Sequence, residues 1–348
     1  MGYEDSHISR TEPVGSGQWD EAGFAFYDGV LEAMSSAGIR PMLALDQWVY
    51  PAWVAERGGW ANPDIIDLWV ANARVVVDRY ASLCPIWISF ADFAAYIKWE
   101  VQDSLPVSQI ARMASSVVAA HKAVYEHIHT VQPSAQVTMS LNVVVSPMHE
   151  VTDNLILDQV RDHLDFLGVA NYSGFTAETL PGLGRRILPD PRVLSNPLTV
   201  DVVADSLYHA LTYCARRFPG TPLYVVDSGM VTLNGAPREG YERADHLRDT
   251  VYWLQRAQQD GIEILGYNYW GLTDSFEWGT FEFRTGLYTV NVVSDPTLTR
   301  RPTAAASAYR DIVAARGVPQ DYRPTRAPSL CSFTDVPAGC VDPVIMPR

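Results

Sequence analysis

Six short apolar runs, each separated from the next by an amphipathic stretch, constrain this chain more than any other feature. The runs are Met42-Leu-Ala-Leu45, Ile86-Trp-Ile-Ser-Phe90, Val137-Thr-Met-Ser-Leu141, Phe166-Leu-Gly-Val-Ala170, Leu223-Tyr-Val-Val226 and Ile264 to Tyr269. Their length and β-forming side chains predict strands. Helices are predicted over about 22–37, 63–80, 108–130, 200–217, 242–259 and 303–315. In the clearest of them, Asn62 is expected to cap and Pro63 to take the first helical position. Ile65, Ile66, Trp69, Ala73, Val76, Val77 and Tyr80 then trace one apolar face. Strand and helix in alternation build βαβ units, and βαβ units build a parallel sheet.

The polar residues that end the strands choose between the two common parallel architectures. The runs finish in Asp46-Gln47-Trp48, Ala91-Asp92, Asn142, Asn171-Tyr172, Asp227-Ser228 and Trp270. A (β/α)8 barrel collects its chemistry on that rim. A dinucleotide-binding sheet would need a G-x-G-x-x-G turn after its first strand, and none follows any strand here; Gly15-Ser-Gly17 reads as a loop. The expectation is an α/β fold, a TIM barrel over residues 1–318, with an irregular Pro-rich tail over 319–348.

Composition narrows the partners. A net charge of −14 opposes binding to nucleic acid, which depends on Lys and Arg neutralising phosphates. No window reaches the roughly 18 uninterrupted apolar residues of a membrane span. Of the four cysteines, Cys84 and Cys214 stand alone, without a nearby ligand pair, so no metal and no cofactor is indicated. Cys331 and Cys340 sit together in the tail, where a disulfide would close a short loop and go with an oxidising compartment. The first residues, Met1 to His7, show neither a basic nor an apolar leader region, and secretion would require a start further upstream. Nothing in the sequence sets an oligomeric state.

The segment Gly266-Tyr-Asn-Tyr-Trp-Gly-Leu-Thr-Asp-Ser-Phe-Glu-Trp278, with Phe283-Arg-Thr-Gly-Leu-Tyr288 after it, is not what a buried strand selects. Aromatic faces stack on the C–H surfaces of pyranose rings, and a carboxylate takes paired hydrogen bonds from neighbouring hydroxyls, so the segment reads as a sugar-binding wall. A Trp-rich corner packed only for stability is the alternative.

Several motifs in order resemble those of family 1 glycoside hydrolases, the retaining β-glucosidase group of (β/α)8 barrels, over roughly residues 2–316. Ser9-Arg10-Thr-Glu-Pro13 with Gly15 and Gly17 is similar to S-R-I-x-P-x-G-x-G. Phe26-Tyr27-Asp28 through Gly38-Ile39-Arg-Pro41 resembles the FYD…GIxP element, and Gly58-Gly59-Trp60 the GGW after the third strand. Trp87-Ile-Ser-Phe90 resembles W-x-T-F, Asn171-Tyr172 the N-Y of the sixth strand, and the aromatic wall W-S-L-x-D-N-F-E-W.

The departures fall on the chemistry. The family's T-F-N-E-P, whose Glu is the acid/base, reads Ser89-Phe-Ala-Asp-Phe93, and its nucleophile motif reads Val225-Val-Asp-Ser-Gly229. The resemblance thus implies Asp92 as acid/base and Asp227 as nucleophile, or as a base activating water. It further implies sugar contacts from Gln47 (in place of a His), Trp48, Asn171, Tyr172, Trp270, Glu277 and Trp278, with Tyr172 also orienting residue 227. The supporting Arg of the second strand falls at Tyr3, and the first strand with its Gln is expected before Met1. Two carboxyls suffice for glycoside hydrolysis: about 5–5.5 Å apart when the anomer is retained, about 6.5–9.5 Å when it is inverted. Shorter Asp side chains on an unchanged backbone widen the gap by about 1–3 Å, from carbon–carbon bonds of roughly 1.5 Å. The expectation is a β-glycosidase acting on β-glucosides or related sugars; the alternative is a catalytically inactive protein that binds carbohydrate. Asn142 is read as a cleft residue or a simple turn, Glu100 as solvated surface with a minor claim as a spare acid, and the sequon Asn171-Tyr172-Ser173 as unused. His127 and His129 face different ways and share no metal.

Overall fold

The structure is a computed structural model, and it describes residues 10–103, 105–144, 153–172, 174, 196–199 and 201–328. The tail cysteines Cys331 and Cys340, and with them the expected bridge, lie outside the described residues, as do Tyr3, Ser9 and Ser173. The chain forms two compact units. One comprises Glu4–Asn142 with Glu150–Gly168; the other comprises Val143–His149 and Val169–Arg348 with Met1–Tyr3.

In the first unit, α1 (Glu21–Ser36) starts on Asp20, whose carboxylate accepts the Ala22 N–H at 2.8 Å. It leads to β1 (Met42–Ala44), α2 (Ile65–Tyr80) and β2 (Ile86–Ile88), then to α3 (Phe93–Asp103), α4 (Ile110–Val131), β3 (Gln136–Thr138) and β4 (Ser140–Asn142). Strands β1, β2 and β3 pair in parallel, with Leu43 opposite Trp87 and Trp87 opposite Val137. The predicted start of α2 is corrected by two residues. Asn62 caps the Asp64 N–H through its side chain at 2.9 Å, so Pro63 sits in the preceding turn and the helix opens at Ile65. The apolar face buries Ile65, Trp69, Ala73, Val76, Val77 and Tyr80 as read, with Val70 and Asn72 in addition, whereas Ile66, read as part of it, is only half-buried. Above it Trp69 stacks on Phe90 at 4.4 Å, while Trp60 meets Phe90 and Tyr96 edge-on, each at 5.8 Å. Helix α3 was not anticipated; Asp92 initiates it.

The long segment of the second unit begins within β5 (Leu167–Ala170) and continues through α5 (Ser206–Arg217), β6 (Leu223–Asp227), α6 (Arg243–Gln259), β7 (Ile264–Tyr267) and α7 (Ala304–Ala315). Strands β6 and β7 run parallel, Leu223 opposite Ile264 and Val225 opposite Tyr267. Their helices close over a core of Leu247, Val251, Trp253, Ala308 and Val318, with Tyr208 and Tyr309 packed against it. The stretch after α7 is not loose as far as residue 328. Asp249 on α6 is fully buried and accepts the Tyr241 and Tyr322 hydroxyls, both at 2.6 Å, together with the N–H groups of Thr325 and Arg326. Arg326 also lies over the Tyr241 ring at 4.3 Å.

Candidate active site

Asp92 stands just past β2 in a conformation that L-residues seldom take, φ +42°. Five hydrogen bonds hold it there. Its N–H donates to Ser140 Oγ at 3.0 Å, and its carbonyl accepts the Tyr96 N–H at 3.1 Å and the Trp48 indole N–H at 3.0 Å. Its Oδ1 accepts the Ala95 N–H, which makes Asp92 the cap of α3, and the Asn142 N–H, each at 3.3 Å. Asp92 as a whole is 9% exposed. Burial pushes its pKa up to about 6, against the opposing pull of the two N–H groups and the Lys98 ammonium. Lys98 is itself lowered by desolvation. The amide oxygen of Asn142 is buried without a partner among the described residues.

Trp48 is likewise left-handed, φ +67°, and its indole N–H bridges the Ala91 and Asp92 carbonyls at 2.7 and 3.0 Å. The indole nitrogen is thus committed within the protein, whereas the Gln47 amide makes no hydrogen bond among the described residues. Next to it lies a group of acids that sequence reasoning undervalued. Asp46 is 1% exposed and held up to about 7 by burial, and Glu100 is 8% exposed and also raised to about 7, chiefly by burial. Tyr50 donates its hydroxyl to Glu100 at 3.1 Å. Glu100 is therefore not solvated surface, as its helix register on α3 shows: it lies one turn beyond the buried Tyr96. His127 and His129 each reach a different carboxylate, Asp78 at 2.7 Å and Asp165 at 3.0 Å.

In the second unit, Asp227 ends β6, half-buried, with its carbonyl accepting the Asn171 N–H at 3.0 Å. The following residue fixes the aromatic wall: the Trp270 N–H donates to the Ser228 carbonyl at 2.9 Å, and a Cβ on Gly229 would come within 2.4 Å of the Trp270 carbonyl oxygen. Only glycine permits that approach. Asn171 is occupied within the protein, its Nδ2 on the Val143 carbonyl at 2.8 Å and its Oδ1 accepting the Ser206 hydroxyl at 2.6 Å. Its side chain braces β5 at this rim. Tyr172 meets Trp270 edge-on at 5.2 Å, Trp270 meets Trp278 at 5.8 Å, and Trp278 meets Phe283 at 5.6 Å. The three predicted aromatics thus form one continuous half-buried row. Trp278 takes φ +48°, and Glu277 beside it is 5% exposed, raised by burial, and bonded by the Ser275 hydroxyl at 2.7 Å. Near Asp227 the hydroxyls of Ser228 and Tyr267 are buried beside each other, a pairing no motif signals.

The wall is anchored from behind by Asp274. Its Oδ1 accepts the Thr285 and Gly286 N–H groups, and its Oδ2 accepts the Thr289 hydroxyl, the Val290 N–H and the Arg284 guanidinium, with Arg243 at 4.0 Å. Gly286 is required at this point: a Cβ there would fall 2.4 Å from the Asp274 backbone nitrogen.

Comparison with known proteins decides the family. The family profile described as Glycosyl hydrolase family 1 matches residues 7–168 and 148–318. The chain belongs to glycosyl hydrolase family 1. Among relatives of this family 1 chain, a β-galactosidase of Sulfolobus acidocaldarius is 25% identical over 85% of the chain and 70% of its own length. The lactase/phlorizin hydrolase of Rattus norvegicus is 22% identical over 93% of the chain, which spans only 21% of that much longer protein. The solved β-glucosidase of Thermotoga maritima in complex with noeuromycin superposes with a TM-score of 0.75 at 18% identity, covering 90% of this chain and 82% of that one. The family 1 chain accordingly has the α/β fold of the TIM-barrel glycosidases, and it is a glycosidase-like hydrolase of the β-glycoside class.

Proposed function

We propose that the chain cleaves β-glucosides or related β-glycosides with Asp92 as acid/base and Asp227 as nucleophile or, in an inverting reaction, as the base that activates water. The observation that carries this reading is the state of Asp92: a buried carboxyl held up to about 6, on a left-handed turn over-determined by five hydrogen bonds. A general acid must keep its proton near the working pH, and desolvation is the usual means. The row Tyr172, Trp270 and Trp278, with Glu277 beside it, supports a pyranose platform and a hydroxyl acceptor. Gln47 keeps an amide uncommitted for a sugar hydroxyl. Trp48 and Asn171, whose polar atoms are occupied internally, are assigned to holding the two acids rather than to hydrogen-bonding the sugar.

An NMR time course on an aryl β-glucoside tests the reading. The anomer released first reports the mechanism, β for retention and α for inversion. Because the acid must be protonated and its folded pKa is about 6, the rate on a poor leaving group should fall as pH rises through that value. Absence of turnover on every aryl β-glycoside would sink it.

A second reading is a binder without turnover. It is favoured by the occupied Trp48 indole and Asn171 amide, which leave fewer free groups around the innermost sugar while the aromatic row is kept. Calorimetric titration with glucose and cellobiose separates the two: heat of binding without hydrolysis supports the binder, and no binding at all counts against both.

A further inference from the structure

We propose that Asp46 is the positioning residue for Asp92, acting through Trp48: it fixes the left-handed turn from which the Trp48 indole grips the loop that carries the acid. The inference rests on the reading of Asp92 as acid/base.

The chain of contacts is short. Asp46 follows β1, and the backbone is laced to the acid's loop on both sides of it, Leu45 N–H to the Ile88 carbonyl at 2.7 Å and Ala91 N–H to the Asp46 carbonyl at 2.9 Å. The Asp46 carboxyl uses both oxygens. Oδ1 accepts the Trp48 N–H at 3.1 Å, which closes an Asx turn over Gln47, and Oδ2 accepts the Trp69 indole N–H at 2.8 Å. Trp69 is a fixed post, 2% exposed and stacked on Phe90. The turn sets Trp48 at φ +67°, and from there its indole N–H reaches the carbonyls of Ala91 and Asp92. Asp92 is itself left-handed, so two unfavourable backbone conformations are coupled through one indole and one carboxyl.

A carboxyl is a poor choice for a merely filled space. Asp46 is buried, makes no ion pair among the described residues, and has the acid Glu100 and the hydroxyls of Tyr50 and Tyr96 as its charged and titratable neighbours. Burial without a cation penalises the ionised form. What the side chain supplies in return is a pair of short, rigid acceptors at the spacing that one backbone N–H and one indole N–H require.

The test is a cycle of variants read by kinetics and by NMR. Asp46→Ala should lower kcat on a poor leaving group by about a hundredfold, as expected for an acid displaced by an ångström or so, with KM changed by less than about threefold. Asp46→Asn retains one acceptor and should recover to within about tenfold of the parent. Trp48→Phe should lose as much as Asp46→Ala, and the double variant should be no worse than either single one, because both break the same linkage. Losses that multiply in the double variant would overturn the proposal, as would an Asp46→Ala protein that loses stability with kcat intact. If Asp46→Ala does not fold, Asp46→Asn and Trp48→Phe carry the same cycle. If the parent shows no turnover, the proposed hydrolase function fails separately, and the linkage is read directly. The Asp46 variants should move both the Trp48 indole N–H resonance and the Asp92 carboxyl titration. Leaving both unmoved would overturn it.

Discussion

Asp46 and Asp274 are both buried carboxylates in segments that follow a barrel strand, yet they are handled in opposite ways. Asp274 has Arg284 at 3.1 Å and Arg243 at 4.0 Å, with three backbone N–H groups and a threonine hydroxyl filling its remaining lone pairs. Asp46 receives two N–H groups and no cation among the described residues, and burial holds it up to about 7. Asp92, with only the more distant Lys98 as a positive neighbour, resembles Asp46 rather than Asp274. The difference separates a region organised for rigidity from one that keeps carboxyls protonatable near neutrality. On the proposed reading, a wall that only presents faces and acceptors tolerates full neutralisation, and a group that donates a proton does not.

Three measurements break or sharpen this contrast. The largest effect is expected at Asp92. Asp92→Asn leaves the loop bonds to the Asp92 backbone in place but removes the acid, and should lower kcat/KM on an alkyl glycoside by about 10²–10⁴-fold. An activated aryl glycoside, which needs no proton, should lose much less, and equal losses on both substrates would refute the acid role.

Next comes Asp274. Asp274→Ala strands the buried Arg243, the part-buried Arg284 and several N–H donors, and urea unfolding should register a loss of about 3–5 kcal/mol. A loss below about 1 kcal/mol would show that the clasp is ornamental and that the two regions differ less than their contacts do.

The smallest effect concerns Asp46 and pH. Its folded pKa lies above its unfolded one, so between about pH 4 and 7 the folded chain binds more protons at this group, and its contribution to stability declines as pH rises through that window. Asp46→Asn should flatten the decline by at most about 1.4 kcal/mol per pH unit. His121 and His246, pushed down to about 4 and about 3 by burial, act with the opposite sign below their unfolded value and are common to both proteins. Parallel stability curves for parent and variant would mean that Asp46 is not held up by burial.

The strands were legible because each apolar run is short and stops at a polar residue: four of the six begin at the expected residue and two within one residue of it, although the run from Val137 to Leu141 is divided between β3 and β4. The aromatic row was legible for a similar reason: Trp270, Glu277 and Trp278 are residues a core strand would not choose. What escaped depends on contacts across long sequence separations. Helix α3 carries no apolar stripe of the usual kind and is started by Asp92 from a left-handed turn, so neither period nor cap pattern announced it. Glu100 looked solvated because its partner, the Tyr50 hydroxyl, lies fifty residues away. Asn171 and Trp48 looked like free sugar contacts for the same reason: the groups that occupy them, Val143, Ser206 and the Ala91 and Asp92 carbonyls, are brought in by the sheet.

The buried grip of Asp249 on residues 322–326 bears on how this chain should be handled at the bench. A boundary drawn where α7 ends would discard Tyr322, Thr325 and Arg326 and leave a carboxylate facing an empty slot, so shortened versions should be cut no earlier than Ala327.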